Sequence, residues 1–335
     1  MAGRGPFVAA KASPSFFFAD QQTRLKKGES IMIAAGQSWS LAHEVHMTGG
    51  AVSTVSWAEQ WSPGLFTIIL ILAILYLKAV GSWLSRFADS EPVKLKHKLY
   101  VLIGLSLIYA AEGTPISYYG HHYLFSAHML QQSLLYLMAP PLIICGLPAW
   151  LLRPLFRHPL ADRLMKLWSN PLVALFVFNL VFSFYHIPLV MDRLMANELL
   201  MIVYNTVFFI AAFQMWYPLY GRLPEYSRMN GLKKMGYIFV NGILLTPACA
   251  LIIFADSTMY QMYENAPAVF SWLSAIDDQQ LGGVIMKIVQ EFVYATALAN
   301  AFFAWYRLER KDEDDELPMN PEESYTPISN QLKQV

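Results

Sequence analysis

Seven stretches of the chain run for about 20 residues with almost no Lys, Arg, Asp or Glu, approximately 63–83, 98–119, 124–147, 171–191, 199–218, 236–255 and 282–306. Each is long enough to cross a hydrocarbon core as a helix. The pattern predicts an all-α polytopic membrane protein of about seven transmembrane helices, forming one bundle over residues 63–306. Pro63, Pro148, Pro171 and Pro218 fall at or near the edges of runs, where a missing N–H is tolerated. Pro140 and Pro141 lie inside the third run, which predicts a kink there, with the freed carbonyls satisfied by neighbouring groups.

The polar links set an orientation. Arg86, Lys94, Lys96 and Lys98 follow the first run. Arg153, Arg157, Arg163 and Lys166 follow the third, and Arg222, Arg228, Lys233 and Lys234 the fifth. Links rich in Lys and Arg stay in the cytoplasm. The alternate links, around 120–123, 192–198 and 256–281, carry among them only Arg193 and are expected to face outward. The amino terminus is then outside and the carboxyl terminus, with Arg307, Arg310 and Lys311, cytoplasmic; residues 307–335 end in an acidic stretch that reads as a solvated tail. Arg4, Lys11, Arg24, Lys26 and Lys27 break this rule. Lys27-Gly28-Glu29 just before Met32 is what a purine-rich ribosome-binding site would give if translated, so residues 1–31 are expected to be a start-site overrun or a disordered extension. Residues 32–62 then form an outer segment whose Trp39, Trp57 and Trp61 are interfacial anchors.

Composition agrees with this reading and narrows the function. Hydrophobic residues make up 56% of the chain and charged residues 14%, crowded into short stretches as in a membrane protein. The formal net charge is zero, which leaves no basic surplus to hold nucleic acid. Cys145 and Cys249 are far apart inside apolar runs and read as buried small hydrophobes rather than a disulfide or zinc pair. No nucleophile elbow, phosphate-binding loop or His-Glu-x-x-His helix occurs, which argues against a catalytic role.

Histidines carry the chemistry. Six of eight, His43, His46, His121, His122, His128 and His186, fall on the side assigned as outer, and only His97 and His158 on the other. Imidazoles near a bilayer need polar partners, so clustering at one depth points to a shared site. At 100° per residue, His121, His128 and Gln132 lie within about 40° of one another on a helical face, with His122 and Met129 on the adjacent face. Imidazole with thioether suits copper, especially Cu(I); hydrogen-bonding glue between helices is the competing account of the same residues. His186 ends the fourth run, and Met286 and Gln290 stand one turn apart in the seventh. His43, His46 and Met47 add a cluster that could catch an ion before the first run. Glu112, Glu198 and Glu291 at membrane depth fit either a proton path or hydrogen-bonded structural carboxyls.

Two separated motifs carry a resemblance. His121 through Phe125-Ser126-Ala127-His128-Met129-Leu130-Gln131, on to Ala139-Pro140-Pro141-Leu142, together with Asp278-Gln279-Gln280-Leu281-Gly282-Gly283 before Met286, resemble CtaG-like cytochrome c oxidase assembly factors. One position departs, Gln132, where many members carry His. The resemblance implies a role in forming active caa-type cytochrome c oxidase in the cell membrane, with oxidase subunits as partners. The oxidase's catalytic copper lies toward the outer side. The expectation is therefore transient copper binding by His121, His122, His128 and Met129, helped by His186 and Met286, and delivery to the oxidase. A haem-handling protein would use two of the same histidines as axial ligands, a scaffold would need none of them, and a transporter or membrane enzyme fits less well, the usual inverted repeat of transporters not being visible in the sequence.

Overall fold

The computed structural model describes residues 56–316 apart from 88 and 227–228. The expected start at Met32, the cluster of His43, His46 and Met47, and the tail beyond 316 lie outside the described residues. Helices account for the regular structure, and no strand occurs among the described residues.

The apolar runs all fold as helices, and their starts follow from local chemistry. Helix α1, Pro63–Ala79, is capped by Ser62, whose hydroxyl accepts from Leu65 N at 3.3 Å, with proline at its first position. The same device recurs at α3, Pro115–His122, after Thr114, and at α7, Pro171–Tyr185, after Asn170. Between them lie α2, Leu95–Glu112, α4, Phe125–Gln132, α5, Ala139–Gly146, and α6, Pro159–Trp168. Then follow α8, Pro188–Met195, α9, Glu198–Tyr220, α10, Gly231–Ile253, and α11, Ala275–Glu316.

The structure corrects the sequence expectations in four places. The second run is two helices, α2 and α3, bent by 42° where Gly113 ends one and the Thr114 hydroxyl restarts the next. The fourth run stops at Tyr185, and Pro188 starts the separate α8. The basic link after the third run contains α6, which meets α7 at 69°. Helix α11 begins at Ala275 and continues to Glu316, so Asp277 to Gln280 are helical, as is the first part of the acidic stretch; Glu, Arg and Lys all extend a helix readily. Four helices are long and apolar enough to cross a membrane alone, among the described residues, or six if each bent pair is one span. With 17 residues, α1 spans about 25 Å and falls just short.

The third run is one span, Phe125–Gly146, with a π-helical segment, Ser133–Met138, between α4 and α5. Pro140 and Pro141 explain it. The carbonyl of Tyr136 would take its hydrogen bond from residue 140 in an α-helix or 141 in a π-helix, and neither proline has an N–H. The indole of Trp216 on α9 donates to it instead, at 3.1 Å. This meets the expectation that a neighbour would satisfy the freed carbonyl.

Two ends result. At one, the basic links meet: Arg222 donates to Cys145 O at 2.5 Å and to His97 Nδ1 at 2.9 Å, Lys234 donates to Leu219 O at 2.8 Å, and the Tyr226 hydroxyl donates to Asp162 at 2.7 Å. The starts of α4 and α11 and the close of α3 and α7 form the other.

Candidate functional site

The histidine-bearing end is built by a tight turn between α3 and α4. Tyr123 ends α3 and Leu124 is extended, so the two short helices fold against each other rather than continue as one. Gly120 permits this, because a Cβ there would lie 3.0 Å from the His128 backbone. His121 and His128 therefore converge by packing, with ring centroids 5.6 Å apart, and not by sharing one helical face as their spacing suggests. His128 and Gln132 do stand one turn apart on α4, with their Nε2 atoms 3.0 Å apart.

His128 is 2% exposed, and its Nε2 lies 2.7 Å from the Tyr185 hydroxyl on α7. Whichever ring nitrogen carries the proton, Nδ1 is buried with no protein partner. His121 is held by Nδ1, which donates to Ser117 O at 2.8 Å. The Ser117 hydroxyl also accepts from Gln131, 3.2 Å away, and Glu112 lies against Gln131 and His121. His186 follows Tyr185, buried at the end of α7. Its Nδ1 donates to Phe182 O at 2.8 Å, leaving Nε2 buried and unpartnered. An imidazole that donates one N–H to a carbonyl presents its other nitrogen as a lone pair, the usual arrangement of a metal-ligating histidine.

The remaining expected residues lie elsewhere. His122 packs against Tyr118 and Tyr123, with ring centroids at 5.2 and 6.2 Å. Met129 is fully buried toward α11, where a Cβ on Gly282 would come within 3.0 Å of its Cγ. Met286, one turn along from Gly282 and 2% exposed, belongs to the same buried core. Among the described residues no three His, Cys, Asp or Glu side chains come together in a group able to hold an ion.

Several residues that complete the site were not singled out from sequence. Tyr260 and Tyr263 in the link before α11 close over it. The Tyr263 hydroxyl donates to Gly120 O at 2.7 Å and the Tyr260 hydroxyl to His186 O at 3.0 Å, while the Tyr260 ring stacks on Phe125 at 4.8 Å. Asp192 accepts from Gln261 N at 3.2 Å and ties this link to α8; burial holds its carboxyl above the usual carboxylate range. Asp278, from the second motif, reaches across to the start of α4. It accepts from Phe125 N at 2.6 Å, from Ser126 N at 3.4 Å and from the Ser126 hydroxyl. A carboxylate on free N–H groups at a helix start is favourable on both hydrogen-bonding and dipole grounds. Asp278 thus fixes the helix that carries His128, and Gly282 lets α11 approach closely enough to do so.

A model of the cytochrome c oxidase caa3 assembly factor family matches residues 74–308. No curated protein and no solved structure matches the chain.

Proposed function

Because the chain belongs to the cytochrome c oxidase caa3 assembly factor family, we propose that it supports oxidase assembly by holding copper transiently at the histidine-bearing end of the bundle and passing it to an oxidase subunit. The observation that carries this reading is the Nδ1 of His128, buried without a protein partner in a ring packed 5.6 Å from His121. His186 supports it with a second buried, unpartnered nitrogen. Neutral imidazoles are suitable ligands for Cu(I) and need no carboxylate beside them. Met129, buried beside Gly282, and Met286 in the same core would serve as transfer ligands in this account, and His122 as an outer contact.

On the positive-inside rule this end is read as the outer one, with the amino terminus outside and the carboxyl terminus in the cytoplasm of a cell-membrane protein. The fit to cargo is therefore one of depth as well as chemistry. Replacing His128→Ala is expected to lower the copper content of the oxidase several-fold while its subunits are still made. An oxidase fully loaded with copper in that strain would refute the reading. A haem-handling role predicts instead a Soret band in the purified protein that disappears with the same substitution.

A further inference from the structure

One charged pair stands where the bundle meets lipid. Lys287 and Glu291 are one turn apart on α11, with ammonium and carboxylate 2.6 Å apart. The ammonium also donates to the Thr246 hydroxyl on α10 at 2.8 Å, and Thr246 donates in turn to Gly242 O at 2.7 Å. Counted along the axis from Tyr306 at the basic end, Glu291 lies about 22 Å up, and Thr246 about 18 Å from Lys234. Both depths fall within a hydrocarbon core of about 30 Å. Yet the Glu291 side chain is 61% exposed and that of Lys287 27%.

Ionisable groups at such depth almost always face protein or a water-filled cavity. The other outward surfaces obey this rule: α1 presents Ile68, Ile71, Leu72 and Leu75, and α7 presents Phe176 and Leu180. Only the α10–α11 face, among the described residues of these helices, presents an ion pair to the exterior. The surface beside it is shaped for a helix. Glu291, Ala295 and Ala299 follow at four-residue spacing and are all exposed, and small side chains let a second backbone come close.

We propose that the Lys287–Glu291–Thr246 face is where a transmembrane helix of the oxidase subunit under assembly packs, carrying a hydroxyl or amide group that hydrogen-bonds to the pair. The identity of the occupant rests on the family reading. Its chemistry follows from the pair. Because the two charges already compensate each other, the partner need bring no net charge, and its departure leaves no lone charge in lipid. A docking face for a client that must be released requires that property.

The test uses the full chain in its native membranes, with a photo-crosslinking residue in place of Ala295 and, as a control, in place of Phe176 on α7. The expected product at Ala295 is a crosslink to an oxidase subunit, with lipid alone at Phe176. Lys287→Met combined with Glu291→Leu, which removes both charges, should reduce that crosslink about tenfold while Cu(I) loading of the purified chain is unchanged. Ala299→Leu, which obstructs close approach and leaves the charges in place, should reduce it too. Crosslinks at Ala295 to lipid only, or to a second copy of the chain, would overturn the proposal, as would undiminished crosslinking in both variants. Loss of copper binding at the histidines with the crosslink intact would refute the copper reading and leave this one standing.

Discussion

The Tyr185 hydroxyl, 2.7 Å from Nε2 of His128, holds the imidazole in place, and Nδ1 is the ring nitrogen left without a hydrogen bond. Tyr185→Phe keeps the ring and removes that hold. Cu(I) affinity is expected to fall about tenfold, with a stability loss of about 1 kcal/mol, as for one hydrogen bond; competition with a Cu(I) chelator and thermal unfolding of the same sample check both. The histidines were legible because imidazoles are rare at membrane depth and the sequence pattern assigns six of eight to one side. Their partners were not. Tyr185, Tyr260 and Tyr263 are indistinguishable in sequence from interfacial anchors, and Ser117 from any small residue in a helix. Asp278 was visible as part of a motif, but its task, capping a helix more than 150 positions earlier, exists only once α4 and α11 pack.

The break between α3 and α4 shows why residue spacing alone misplaces neighbours. A helical wheel through 121–132 brings His121 beside His128 for the wrong reason; the chain turns back at Tyr123 and Leu124, and Gly120 makes the contact possible. His122 and Met129, adjacent on the same wheel, pack against different neighbours, Tyr118 and Tyr123 for the one and Gly282 for the other. That Pro140 and Pro141 would disturb the helix hydrogen bonds was legible, because proline removes a donor wherever it stands, whereas the irregularity takes the form of a π-helical segment and the replacing donor, Trp216, comes from 80 residues away. Trp216→Phe should leave Tyr136 O buried and unsatisfied and destabilise the protein by about 1–3 kcal/mol, measured by thermal or denaturant unfolding in detergent. An unchanged transition would mean that another donor serves that carbonyl.

For the molecule as a whole, apolar runs and basic links were enough to find the bundle and to separate its two ends, because bilayer thickness and the distribution of Lys and Arg act on composition rather than on contacts. The bends at Gly113 and between α6 and α7 depend on local caps and on packing, and they reduce the spans that qualify by length alone to between four and six. Orientation is testable directly. In a chain with Cys145 and Cys249 replaced, Ser271→Cys should react with an impermeant maleimide in intact cells and Ser82→Cys only after permeabilisation; the reverse would invert the account. The copper reading of the histidines at the α3–α4 turn is tested most directly by elemental analysis of the purified protein after anaerobic Cu(I) loading, with an optical spectrum of the same sample and a His121→Ala, His128→Ala double variant as control. About one copper per chain, lost in the double variant, is the predicted result, whereas no copper in the wild type, or equal copper in both, would contradict it.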